Sequence, residues 1–135
     1  MDWKLEVIVV PVSDVDRSKE FYGGGCGFVV DVDNKVGDVF RNVQLTPPGS
    51  ACSIVIGIGL AAGEPGLLKG LQLVVADVAA ARSELVERGV AVTPVRHIEG
   101  ADWVDGPGGD WNSFIFFDDP DGNSWAVQQK PAGTS

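Results

Sequence analysis

Val7-Ile8-Val9-Val10-Pro11-Val12-Ser13-Asp14-Val15-Asp16-Arg17-Ser18-Lys19-Glu20-Phe21-Tyr22 changes its periodicity once, and the change decides the fold. Leu5 to Val12 is β-branched and apolar on both faces, which predicts a buried strand. Ser13-Asp14 then offers helix-capping oxygens. From Val15 to Tyr22, Val15, Ser18, Phe21 and Tyr22 share one face at helical spacing, with Asp16, Arg17, Lys19 and Glu20 facing outward. Gly23-Gly24-Gly25 is expected to end this helix. Three strand candidates follow, Gly27 to Val32, Val39 to Leu45 and Ala51 to Ile58, separated by turn signals at Asp33-Asn34-Lys35 and Pro47-Pro48-Gly49. The first half reads β-α-β-β-β.

The second half repeats that order. Leu71 to Val75 is an apolar strand, Asp77 a cap, and Val78 to Arg88 a helix with Val78, Ala81, Leu85 and Val86 as its stripe, ended by Gly89. Val90 to His97 reads as a strand, as do Ser113 to Phe117 and Ser124 to Gln128, the last two joined by the turn Asp119-Pro120-Asp121-Gly122. The glycine-rich stretch from Gly100 to Trp111 could conceal a further strand. Val12-Ser13-Asp14-Val15 aligns with Val75-Ala76-Asp77-Val78, and Gly27-Phe28 with Gly89-Val90, so the chain carries an internal repeat. A half of about 60 residues is marginal alone, which predicts one domain over 1–135. Its first module spans about 1–60, with a linker near 59–69 and a second module near 70–130.

Composition narrows the function. Nineteen acidic against ten basic residues give a formal charge of −9, and no basic stripe offers a surface to phosphates, so nucleic acid and anionic membrane are excluded as partners. No apolar run approaches the roughly 20 residues that cross a bilayer. The first residues lack a signal-peptide pattern, and a cytoplasmic protein is expected. Cys26 and Cys52 fit no zinc spacing and have no neighbouring cation to activate a thiol, so reduced structural cysteines are expected. The 18 glycines punctuate elements rather than fill the chain, and no phosphate-binding fingerprint is present.

The stretch from Val7 to Tyr22 resembles the opening of the vicinal oxygen chelate superfamily, and Phe116-Phe117-Asp118-Asp119-Pro120-Asp121-Gly122-Asn123 resembles its closing hairpin. That family includes glyoxalases, extradiol dioxygenases, fosfomycin-modifying enzymes and bleomycin-binding proteins. The resemblance implies an α+β fold, two tandem β-α-β-β-β modules forming a cup-shaped mixed sheet, and a homodimer. It also implies four cup-facing metal-ligand positions in the enzymes. Here these fall on Val7, on Gly70, on Ala126, and near Ser53, Ile54 or Val55, none of which is a normal ligand for a divalent ion. No metal and no other cofactor is therefore expected.

Strand alternation places Val9 beside Val7, Gln72 beside Gly70 and Gln128 beside Ala126 on the same faces. Two glutamines in an apolar cup suit recognition of a polar group rather than proton transfer, or else they satisfy backbone groups at a sheet edge. His97, the only histidine, with Glu99 on the same strand face, is the one candidate general base near neutral pH, and also a candidate ligand contact. Trp103 and Trp111 stand in an acidic glycine-rich loop with Asp102, Asp105 and Asp110. That loop reads as a lid over a flat ligand, a dimer contact, or plain packing. The leading expectation is a metal-free protein holding a small aromatic or cationic ligand, with Gln72, Gln128, His97, Trp103, Trp111, Val7 and Val9 as contacts. The alternatives are a glyoxalase-like lyase, isomerase or dioxygenase using His97, or an atypical metal site of His97, Glu99 and loop aspartates. A third reading is a cup filled by Val7, Val9, Ile54 and Val74.

Overall fold

The computed structural model describes residues 1–134. The chain is α+β, with two helices and two mixed sheets. It divides into two compact units, one of residues 1–68 with 119–123, the other of 69–118 with 124–134.

The first unit holds β1 (Val7–Val9), α1 (Val15–Glu20), β2 (Val29–Val36), β3 (Phe40–Thr46) and β4 (Ser53–Ile58). Its sheet order is β1-β4-β3-β2, with β1 parallel to β4 and the other pairs antiparallel. Alternation on β3 buries Arg41, Val43 and Leu45, which with Ile54, Ile56, Val10, Val15 and Tyr22 form the core beneath α1. The buried Arg41 is matched by charge. Its guanidinium donates to Asp33 and to Asp16 of α1, and Lys19 of α1 donates to the same Asp33. These donors, Arg41 first, hold the Asp33 carboxyl down at about 2 and push the Arg41 pKa up.

The turn after Asp118 is built into this unit by buried hydrogen bonds. Tyr22 Oη donates to Asp119 at 2.7 Å. Asn123, fully buried, donates to the Pro11 carbonyl and to Asp119, and accepts from the Leu68 amide. Asp121 takes the Ser13 amide and hydroxyl. The Asp-Pro-Asp-Gly-Asn signature is thus a structural knot as well as a turn.

The second unit holds β5 (Leu71–Val75), α2 (Val78–Glu87), β6 (Arg96–Glu99), β7 (Asp102–Asp105), β8 (Phe114–Asp118) and β9 (Ser124–Gln129), with sheet order β5-β9-β8-β6-β7. α2 packs against β8 and β9. Leu71, Val78, Leu85, Val90, Ile115, Phe117, Trp125 and Val127 are its core, with the Phe117 and Trp125 rings stacked at 5.9 Å.

The repeat is visible in the backbone of both units. Asp14 and Asp77 cap their helices with the same extended geometry, accepting from Arg17 N and Ala80 N. Gly27 and Gly89 both take positive φ, 75° and 85°, and hand on to the buried Phe28 and Val90. A side chain in that left-handed conformation is strained, which is why glycine stands at both places.

Several boundaries differ from the sequence reading. β1 is confined to Val7–Val9 and Leu5 is exposed. Gly23-Gly24-Gly25 does not end the first helix; it continues as a π-helical turn, Phe21–Gly25, closed by Cys26 N donating to Phe21 O. Asp33-Asn34-Lys35 lies inside β2, where Arg41 and Lys19 engage Asp33, and the turn comes at Gly37. Val90 to Val95 forms no strand; only Arg96–Glu99 does, and Arg82 of α2 holds the preceding segment through the Thr93 carbonyl. The glycine-rich stretch does hold a further strand, β7, which gives this unit five strands to the other's four. Cys26 and Cys52 are not bridged.

Candidate ligand-binding face

One face of the second sheet is packed under α2 and the other is open. Register assigns the open face row by row. Gln72, Ala126 and Phe116 are lateral neighbours on β5, β9 and β8. Val74, Gln128, Phe114, Arg96 and Asp105 form the next row, and Ile98 pairs with Trp103 beyond it. Trp103 meets Phe114 at 5.3 Å and Phe116 at 5.2 Å with its ring plane perpendicular to theirs, while those two rings stack at 6.0 Å. Edge-to-face contacts of this kind hold a ring in place for about 1 kcal/mol each beyond burial. Even so Trp103 stays 49% exposed and Val74 55%. A contiguous aromatic surface held rigid yet left open is the signature of a contact surface rather than of core.

The two glutamines meet on this face. Gln72 Nε2 donates to Gln128 Oε1 at 2.8 Å, and Gln128 Nε2 donates to the Trp111 carbonyl at 2.8 Å. Trp111 is the one described non-glycine residue with positive φ, at 60°. That conformation costs roughly 1–2 kcal/mol, so something must hold it. Four contacts do. Asn112 pairs its side-chain amide with both backbone groups of Ile98 at 2.9 Å, replacing a strand partner. Ser113 accepts from Gly108 N, the His97 ring meets the Gly106 carbonyl, and Gly106 N donates to Val95 O. The glycine-rich segment from Gly100 to Trp111 is thus half strand and half pinned turn.

His97 and Glu99 are a real pair, but on the opposite strand face from Arg96, Ile98 and Trp103. Nε2 of His97 lies 2.9 Å from Glu99 Oε1 and Nδ1 lies 2.7 Å from Gly106 O. Both partners are acceptors, so the Glu99 carboxylate first, and the Gly106 carbonyl after it, raise the imidazole pKa. Neither ring nitrogen is left for a substrate. Asp105 on the open face is engaged by Arg96 at 3.3 Å, while Asp102 alternates to the other side.

Val7 and Val9 belong to the first unit. Register sets Val7 beside Ser53 and Val9 beside Val55, so of the three residues considered near the fourth strand, Ser53 is the one paired with Val7. The Ser53 hydroxyl is bonded to Thr46 Oγ1 at 2.6 Å, and Thr46 donates in turn to Asp31. Val7, Gly70 and Ala126 offer no donor, Ser53 is spoken for, and no group of three or more His, Cys, Asp or Glu among the described residues is arranged to hold a metal ion. These residues do not fit the divalent ion that the fold's enzymes use. The residues missed by sequence reasoning are Phe114, Phe116 and Asn112. Phe114 and Phe116 were legible as one face of a strand; the role of Asn112 left no periodic signal.

A family model described as glyoxalase/bleomycin resistance protein/dioxygenase superfamily matches residues 4–127. Among solved structures, the chain is 34% identical to TnmS3, an antibiotic binding protein from Streptomyces sp. CB03234, with 96% of this chain and 98% of that one covered and a TM-score of 0.75. It is 35% identical to a glyoxalase/bleomycin resistance protein from the same organism, with coverage of 93% and 100% and a TM-score of 0.72. A superfamily member from Sphaerobacter thermophilus DSM 20745 is 25% identical, with coverage of 96% and 98% and a TM-score of 0.70. No curated protein matches.

Proposed function

The chain belongs to the glyoxalase/bleomycin resistance protein/dioxygenase superfamily, and we propose that it is a metal-free binding protein that takes a small aromatic ligand onto the open face of its second sheet. The observation that carries this reading is the Trp103, Phe114 and Phe116 cluster, locked by mutual ring contacts while Trp103 remains half exposed. The amides of Gln72 and Gln128 lie on the same face and supply orientation without acid-base chemistry. The likeness to an antibiotic binding protein supports binding rather than turnover. The absence of a competent donor at Val7, Gly70 and Ala126, and the engagement of both His97 ring nitrogens, support a site that sequesters. In this reading the protein is a homodimer, as the family resemblance implies, which sedimentation equilibrium tests.

The functional test is twofold. Elemental analysis of purified, dialysed protein is expected to find no retained divalent ion, and one tightly held ion per chain would overturn the metal-free reading. A panel of flat aromatic and cationic small molecules, followed by tryptophan fluorescence, is expected to give aromatic hits whose affinity falls at least tenfold in Trp103→Ala. Hits indifferent to Trp103 would move the site elsewhere.

A further inference from the structure

We infer that the ligand is a fused aromatic carrying a hydrogen-bond donor, and that Gln72 Oε1 is the acceptor that reads it. This rests on the binding reading above. A side-chain amide can be turned end for end, and its orientation must be argued from its partners. Here a backbone group settles it. The Trp111 carbonyl can only accept, so Gln128 must turn its NH₂ toward it, 2.8 Å away. Gln128 Oε1 then faces Gln72, which must present its own NH₂ at 2.8 Å. Reversing either amide would set two acceptors or two donors against each other. The polarity of the chain is therefore fixed from its inner end, and what remains at the outer end is a carbonyl oxygen. Gln72 is exposed, and no donor among the described residues reaches its Oε1.

Spacing gives the ligand its size. Gln72 and Phe116 are separated by one strand, β9, whose residue in that row is Ala126. Two strand spacings span about 10 Å, and the small alanine leaves the floor between them low. A flat body stacked on one of the perpendicular Phe116 and Trp103 rings and touching the other reaches Gln72 if it is two or three fused rings long. A single ring is too short to touch both. The strained Trp111 backbone fits this role, since it aims the carbonyl that sets the polarity of the whole chain.

The test uses the full chain, isotopically labelled, titrated in NMR experiments with 2-naphthol and with 2-methoxynaphthalene. The two share one ring system; only the first donates. Both are expected to shift the Trp103 indole signal, with 2-naphthol binding about fivefold tighter and alone shifting the Gln72 side-chain amide. In Gln72→Met the preference should vanish while the affinity for 2-methoxynaphthalene holds. Equal affinities in the wild-type protein, or a preference that survives Gln72→Met, would overturn the inference and leave the aromatic site standing. If neither compound moves Trp103, the binding reading falls and the inference with it. The wild-type comparison decides even if the variant fails to fold.

Discussion

The faces of the two sheets that point away from their helices were built on one backbone plan and ended with opposite chemistry. On the first, Ser53 donates to Thr46 and Thr46 to the Asp31 carboxylate, so the polar chain ends on a group that can only accept its last hydrogen bond. Ser53 and Val55 beside it are buried. On the second, the amide chain starts at the Trp111 carbonyl and ends at an exposed glutamine with an acceptor to spare, beside rings that are half exposed. Duplication preserved what the backbone needs, the aspartate caps and the positive-φ glycines. It left the outward side chains free to diverge. One face closed its polarity on itself, and the other kept an end open, which is what a binding surface requires.

The largest expected effect comes from the buried turn of the first unit. Asn123→Ala orphans the Pro11 carbonyl and the Leu68 amide and removes one of the donors to Asp119. A loss of about 3 kcal/mol in urea unfolding is expected, with the Trp103 indole signal unchanged in the protein that remains folded. A loss under 1 kcal/mol would mean the turn is held by its own geometry alone.

Next is the charge network under α1. Arg41→Met should cost about 1–2 kcal/mol at neutral pH, discounted because Asp16 and part of Asp33 are in water. Asp33 has its folded pKa lowered from 3.8 to about 2. Its contribution is thus present above pH 3.8 and lost as pH falls through about 2. The variant should lose much of that acid dependence, read as a flatter stability profile between pH 4 and 2.

A smaller change is expected at Trp111→Gly. Glycine adopts φ 60° without strain, so stability should hold or rise by about 1 kcal/mol in the same urea assay. A loss of more than 1 kcal/mol would show that the covered half of the indole, which is 46% exposed, contributes more than the relieved strain.

How much of this was legible depends on whether a residue acts through its neighbours in sequence. The caps, the two helices, the repeat and β5 follow from local patterns, and the structure has them. Gln72 and Gln128 could be put on one sheet face by alternation only from Gly70 and Ala126, the positions that the family resemblance turns inward. What could not be read is pairing at a distance. Asn112 stands in for a strand beside Ile98 and pins the turn that follows β7. Asp33 looked like a turn residue because Asp-Asn-Lys favours turns, but ion pairs with α1 and β3 hold it in a strand. Cross-strand register likewise puts His97 on the face opposite Trp103 of the adjacent strand, a fact no single-strand pattern contains.

That separation yields the smallest effect and the sharpest check of the two-faced second sheet. His97 has both ring nitrogens against acceptors, so the imidazolium makes two good hydrogen bonds and the neutral ring only one. Its folded pKa is raised above 6.5. What it adds to the β6 and β7 pairing is therefore fully present below pH 6.5 and is lost as pH rises through the raised value. In Glu99→Gln the carboxylate is gone, and the His97 pKa, followed by ring-proton NMR, should fall back toward 6.5. Affinity for 2-naphthol between pH 6 and 8 should stay within twofold throughout, because His97 and Glu99 face away from Trp103 and Gln72. If that affinity instead tracked the His97 titration, and did so less in Glu99→Gln, the two faces would be coupled through Trp103, whose backbone pairs with the strand that carries His97.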